Sequence, residues 1–278
     1  MNPRLRVILT SALLALCAAA LYIPRLDEAP RYLVTDELFS ALTAHSVATT
    51  GRDPHGTFLP LYFQMDLPKQ GSPMWFQPIL VYAIALAVKL LPFSEATIRL
   101  PMAIAGVVNV VLIYLVSRRL FGRELFAITA AGLLALTPAH FMYSRYAMDF
   151  QAPLPFLLGW LLCVVTYVTR ADPRLLFGAG LLLGVGVYSY IAAMFFMPLY
   201  VLLTCAVLYM RRERLSRYGA LAAGFLLPLV IAIPALARNP TLLYDVAVHY
   251  QPDAAAPTTS AAESFAARTT KFTFGPMN

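Results

Sequence analysis

Two adjacent carboxylates, Asp36 and Glu37, are the sharpest chemical feature of the sequence. They lie just past the first long apolar run, at a membrane edge, where ionised groups are costly unless solvated, paired or used. One acid of such a pair can take the proton of an attacking hydroxyl while its neighbour binds substrate hydroxyls or a metal. The alternative is that both are first-turn acids of a helix, favoured there by the dipole. Arg145 and Asp149 are four residues apart, so on a continuing helix they share a face and can pair. If the chain folds this segment over the first, Asp149 completes a carboxylate cluster and Arg145 offers a guanidinium that fits a phosphate bidentately. Lys69, Lys89 and Arg99 are further cations suited to a lipid-linked phosphate or to anionic headgroups.

Other reactive types carry less. His45 and His55 are ten residues apart, a spacing of no metal motif, and His140 follows Pro138 inside an apolar run, where it reads as a packing group. Cys17, Cys163 and Cys205 all fall within apolar runs and form no Cys-x-x-Cys or Cys/His ligand pattern. Tyr188-Ser189-Tyr190 reads as part of an aromatic belt at a hairpin. Gly180 and Gly184 stand at the spacing that lets membrane helices approach closely.

The elements that must position these groups are membrane helices. Of 278 residues 60% are hydrophobic and 13% charged, against about 25% charged in an average soluble domain. This excludes a water-soluble enzyme, collagen, a coiled coil and a disordered tail. The net charge of +7 does not point to nucleic acid, because the basic residues sit in short clusters between apolar runs.

Apolar runs occur at 7–23, 76–91, 100–117, 125–143, 153–169, 175–190, 192–210 and 218–237. The basic clusters at Arg4/Arg6, Arg118/Arg119/Arg123, Arg170/Arg174 and Arg211–Arg217 all belong in the cytoplasm by the positive-inside rule. That alternation fails if 76–91 crosses, and its uninterrupted stretch, Pro78 to Val88, has the length of an interfacial segment. Seven crossings remain in an all-α membrane protein. The N-terminus is cytoplasmic, the first helix is retained rather than cleaved as a signal peptide, and everything after Ala237 is external. Residues 1–237 form the membrane module. Its long external loop, 24–99, carries interfacial helices at about 36–50 and 76–91, the first capped by Thr35 and ended by Gly51-Arg52-Asp53-Pro54. Residues 238–278 read as an external tail or a loop whose continuation is missing.

Taken in order, one crossing, Asp36-Glu37, Gly51-x-Asp53-x-x-Gly56, Leu59-Pro60-Leu61, Pro78-x-x-x-Tyr82, Arg99-Leu100-Pro101 with Gly106, Arg118-Arg119-Leu120-Phe121-Gly122, Pro138 and Ser144-Arg145 resemble the GT-C glycosyltransferases. This superfamily includes the protein O-mannosyltransferases and the aminoarabinose transferases of lipid A. The resemblance implies a multi-pass plasma (inner) membrane enzyme moving a hexose or pentose from a polyprenyl-phosphate carrier. The acceptor would be an extracytoplasmic protein, lipid or glycan. It maps the catalytic base onto Asp36 and its partner onto Glu37, and less closely assigns phosphate or substrate binding to Arg145, Asp149, Lys69 and Arg99. A divalent metal, if one takes part, would fall to Asp36, Glu37 and Asp149. Where relatives carry Glu-Lys-Pro, this chain has Leu67-Pro68-Lys69, and relatives continue for several more crossings. The competing classes are a transporter or flippase-like protein and a non-catalytic subunit of a glycosylation system. The lack of inverted repeats and the few ionisable groups within the crossings argue against the first.

Overall fold

The structure is a computed structural model and describes residues 2–65, 74–241 and 244, without the side chains of Pro3 and Met74. The chain divides into two units, residues 1–240 and 241–278, and the fold below is that of the first. Lys69 and nearly all of the 238–278 tail lie outside the described residues.

The first unit is helical: α1 (Pro3–Tyr22), α2 (Thr35–Thr50), α3 (Pro78–Leu90), α4 (Glu95–Phe121), α5 (Glu124–Leu136), α6 (Pro138–Ser144), α7 (Leu154–Arg170), α8 (Pro173–Gly186), α9 (Ala193–Met210), α10 (Leu215–Leu229) and α11 (Ile233–Arg238). Among the described residues five helical stretches are long and apolar enough to cross a membrane, and six if α5 and α6 count as one span bent by 63°. The expected seventh crossing, 175–190, falls short. As α8 it has 14 residues, about 21 Å of helix against a hydrocarbon core of about 30 Å, because the chain turns through Val187–Ser189. The α5–α6 bend has a local cause. Thr137 is extended, with ψ 122°, as a residue before proline prefers, and Pro138 has no N–H with which to continue the ladder.

The interfacial segments appear as α2 and α3, with one addition. Phe63–Met65 (β1) and Met74–Phe76 (β2) pair antiparallel in the register Phe63 to Phe76, Gln64 to Trp75 and Met65 to Met74, a hairpin not expected in an all-α chain. Its signal is the aromatic content of Tyr62-Phe63 and Trp75-Phe76, which suits strands. Phe63 is buried against Tyr82, and Phe76 packs on Phe39 at 4.5 Å between ring centroids. The cap of α2 also differs. Val34 precedes the helix, Thr35 is its first residue, and the Val34 N–H donates to Glu37 Oε2 at 3.2 Å.

Three apolar clusters hold the unit together. One joins α2, α3 and the start of α4; the second joins α1, α4 and α5; the third joins α7, α8, α9 and α10. Large apolar side chains facing outward along α1, among them Ile8, Leu13 and Leu16, suit a lipid environment.

The closest helix approach is between α8 and α10. A Cβ added at Gly180 would fall on the Leu221 carbonyl oxygen, one at Gly184 on that of Phe225, and one at Gly224 on that of Phe177. These obstacles are backbone and cannot turn aside. Gly180→Ala or Gly224→Ala is therefore expected to lower stability by about 1–3 kcal/mol. Gly132→Ala and Gly219→Ala, where a Cβ meets nothing within 4 Å, should leave the melting temperature of the detergent-solubilised protein unchanged or raised. Equal melting temperatures across the four variants would refute the packing argument.

Candidate functional site

Adjacent residues on a helix point about 100° apart, and Asp36 and Glu37 consequently meet different surroundings. Glu37 is fully buried. Its Oε1 accepts from Arg99 Nε at 3.0 Å and from the Ala147 backbone N–H at 2.8 Å, while Oε2 accepts from Val34 N–H and, at 3.3 Å, from Arg99 Nη2. Arg99, also fully buried, donates further to the carbonyls of Leu26, Pro30 and Tyr32 and to Glu95 Oε2. A single pair thus ties the start of α2, the first turns of α4, the 26–32 segment and the loop after α6 together.

Arg145 does the same for the beginning of that segment. It was expected to share a helix face with Asp149, but α6 stops at Ser144 and Asp149 opens a separate 3-10 turn, Asp149–Gln151. The guanidinium instead donates to the carbonyls of Tyr22, Pro24, Arg25 and Ala29 at 2.8–3.2 Å. Burial first, and the charge of Arg99 second, push its pKa below the ordinary arginine value, although a guanidinium stays charged in proteins. Arg99 and Arg145 therefore reach backbone oxygens, Glu37 and Glu95, and in this arrangement neither extends a free donor towards a substrate phosphate.

Asp36 is half-buried, and its carboxylate has no hydrogen bond or ion pair among the described residues. Asp149, also half-buried, is close enough for the two charges to act on each other. Asp149 is likewise within electrostatic reach of Tyr190, and Phe150 is stacked edge-on between Tyr143 at 5.6 Å and Tyr190 at 5.7 Å. Burial, then the Asp149 charge, then Tyr143 push the Tyr190 hydroxyl above the ordinary tyrosine range, so it stays protonated at neutral pH and can donate a hydrogen bond. Two carboxylates and a phenol thus converge from α2, the 149–151 turn and the α8–α9 connection. The first loop is bound to that connection directly, by Ile79 N–H donating to the Tyr188 carbonyl.

Beneath this cluster a buried polar chain positions α6. His140 Nε2 faces the amide nitrogens of Asn109 and Gln151 at 3.5 and 3.4 Å and so accepts, which leaves Nδ1–H to donate to Tyr22 Oη at 3.0 Å. Tyr22 O–H in turn donates to the Ala135 carbonyl, whose helical partner the Pro138 break removes. Gly106 provides the space, since a Cβ there would collide with Ser144 and press on Tyr22.

Residues 72–237 match the family model described as dolichyl-phosphate-mannose-protein mannosyltransferase. The chain belongs to this family. Among solved structures it is similar to ArnT from Cupriavidus metallidurans bound to undecaprenyl phosphate, with a TM-score of 0.61 and 18% identity over 86% of this chain and 43% of that one. It is similar also to the apo state of ArnT from the same organism, with a TM-score of 0.55 and 17% identity over 89% and 44% of the respective chains. These likenesses show the fold, that of a GT-C membrane protein, and the chain spans less than half the length of either match. No curated protein matches.

Several family-like motifs have structural explanations here. In Gly51-x-Asp53-x-x-Gly56 the Asp53 carboxylate accepts from Thr57 N–H at 2.7 Å, Gly56 N–H donates to the Asp53 carbonyl, and Gly51 ends α2 at φ 70°. The tyrosine of Pro78-x-x-x-Tyr82 donates to the Pro60 carbonyl at 2.7 Å. In Arg118–Gly122, Arg118 pairs with Glu124 at 3.1 Å and Gly122 ends α4 at φ 65°. Sequence reading missed Tyr190 as a group within electrostatic reach of Asp149, and Tyr143 as one that acts on Tyr190. Only the aromatic density of 188–190 hinted at them, and it read as membrane belt. Among the described residues no three His, Cys, Asp or Glu side chains gather as a metal group, and both oxygens of Glu37 already have donors.

The two acids should separate cleanly in a stability measurement. Glu37→Gln leaves the buried Arg99 with only the part-exposed Glu95 as counter-charge and should cost about 3 kcal/mol, whereas Asp36→Asn, losing only a helix-dipole contribution, should cost under about 1 kcal/mol. Thermal unfolding of the solubilised protein followed by circular dichroism tests this, and equal losses would contradict the division of roles.

Proposed function

We propose that this chain carries the catalytic half of a GT-C glycosyltransferase that moves a sugar from a polyprenyl-phosphate carrier to a hydroxyl-bearing acceptor at the extracytoplasmic face of the plasma membrane. The observation that carries the reading is the contrast at α2: in a chain of this family, an unpartnered half-buried Asp36 stands next to a Glu37 whose every contact is internal. The topology that goes with it keeps seven crossings, a cytoplasmic N-terminus and an external first loop holding α2 and α3; α8, too short to cross as a helix alone, would complete its span through Val187–Tyr190, because the Arg170/Arg174 and Arg211–Arg217 clusters belong on one side.

The mechanism follows from what each side chain is free to do. Asp36 accepts the proton of the acceptor hydroxyl as that oxygen attacks the anomeric carbon. The bond between that carbon and the phosphate oxygen breaks, the carrier phosphate leaves with the electron pair, and the configuration inverts. A phosphate is a good leaving group, so activating the nucleophile is the larger task. Asp149 and Tyr190 hold the hydroxyls of the sugar or acceptor beside Asp36. Glu37, Arg99 and Arg145 are positioning residues, which keep α2 and the 145–151 segment facing each other. Cations for the donor phosphate come from outside this triad; Lys69 and the exposed Lys89 are two that the first loop offers. A divalent ion, where one participates, fits Asp36 and Asp149 but not Glu37, and would supply charge neutralisation at the phosphate. The sugar, the acceptor and further carrier contacts belong to the whole protein.

Transfer of radiolabelled sugar from a polyprenyl-phosphate donor to membrane acceptors, at matched expression, tests the assignment. Asp36→Asn should lose about 10²–10⁴-fold in rate while remaining folded. Asp149→Asn should lose less, and a control with Asp53→Asn, a loop-holding residue, should show its loss in stability first. Wild-type rates in Asp36→Asn would overturn the proposed base.

A further inference from the structure

At the end of the helical unit away from Asp36 lies a cavity of about 670 Å³ between α1, α4, α7 and α8, within the range of small-molecule sites. Arg4 and Val7 of α1, Arg118 and Arg119 of α4, and Leu162 and Cys163 of α7 contribute to its wall. The distance from Arg99 to Arg118 along α4 is 19 helical residues, about 28 Å at 1.5 Å each, close to the thickness of a hydrocarbon core. The cavity's guanidinium groups therefore stand level with one headgroup layer when the Asp36 cluster stands level with the other.

The charges there are unequal. Arg118 is held by Glu124 at 3.1 Å and by the Tyr114 hydroxyl at 3.0 Å. Arg4 and Arg119 are exposed, and among the described residues neither has an ion-pair partner. Two uncompensated guanidinium groups thus flank a cavity whose other wall is apolar apart from Thr166. We propose that this cavity binds one anionic glycerophospholipid of the surrounding leaflet, its phosphate between Arg4 and Arg119 and an acyl chain along Val7, Leu162 and Cys163.

The chemistry favours a lipid over a free phosphate ion. Guanidinium groups fit a phosphate bidentately, and an acyl chain removes the apolar wall from water, which an inorganic ion cannot do. Basic pockets between membrane helices select anionic headgroups on these terms. The occupant would tie the N-terminal turn of α1 to the end of α4 by a bridge that the side chains themselves do not make.

Native mass spectrometry of the full solubilised chain, titrated with dioleoylphosphatidylglycerol or dioleoylphosphatidylcholine, tests the proposal. One phosphatidylglycerol should bind with a clear preference over phosphatidylcholine. Arg4→Gln with Arg119→Gln should weaken it on the order of tenfold or more, while Arg170→Gln with Arg214→Gln, which removes equal charge elsewhere, should not. Cys163→Trp, which fills the cavity and keeps its charge, should also weaken binding; a melting temperature near wild type shows that the variant is folded. Unchanged affinity in the Arg4/Arg119 variant, or equal losses in both charge variants, would overturn the site. Full displacement by millimolar inorganic phosphate would overturn the choice of a lipid.

Discussion

A buried guanidinium–carboxylate pair, Arg99 with Glu37, is the interaction on which the rest of the candidate site depends. Removing two charges from water costs several kcal/mol per ion, and the cost is offset only where every remaining donor and acceptor is satisfied. That condition explains the neighbouring backbone. The 22–32 segment has little regular structure, yet its carbonyls turn inward to Arg99 and Arg145. Arg145 places a second buried charge close to the first, and like charges repel, so the carbonyl dipoles and the Glu37 carboxylate are needed together. The result is a connection between α1 and α2 shaped by two arginines from elsewhere in the chain.

Order of this kind is useful because an active carboxylate cannot hold itself in place. A general base must keep its oxygens free for the proton it takes, so its position has to come from its neighbours. Asp36 is one residue from Glu37 on the same helical turn, and its main chain is as constrained as that of Glu37. Asp149 is two residues from Ala147, whose N–H is bound to the same Glu37 oxygen that meets Arg99. The two half-buried acids are thus carried on segments pinned to one shared group; the Asp36 carboxylate has no hydrogen-bond partner among the described residues, and that of Asp149 is held by its own backbone N–H.

The parts legible in the sequence were those that depend on local or periodic signals. Apolar runs located α1, α4, α7, α9 and α10, the short run after Trp75 located α3, and Gly180 and Gly184 announced the tight α8–α10 contact. The number of crossings was less legible, because run length counts apolar residues and not where the chain turns: the run at 175–190 includes Tyr188-Ser189-Tyr190, which belongs to a turn. The acids at 36 and 37 were legible as a pair but not as individuals. Which of them faces inward depends on Arg99, 62 residues further on. Arg145 was read as a partner for Asp149 or for a phosphate because no sequence pattern records a guanidinium capturing carbonyls more than 110 residues earlier.

Charge is organised differently at the two ends of α4, and the difference has a physical origin. At the Glu95 end, arginine is drawn completely inside and serves as a structural cation for irregular backbone. At the Phe121 end, Arg119 stays exposed, with only Arg118 paired to an acid. Irregular backbone near a bilayer must have its polar groups satisfied by protein, and the long first loop creates such a demand at one end only. The short α4–α5 connection, closed by Gly122, creates none. Arg119 at that end is left without an ion-pair partner among the described residues, and the same arginine chemistry gives a rigid scaffold at one end of α4 and an anion-attracting rim at the other.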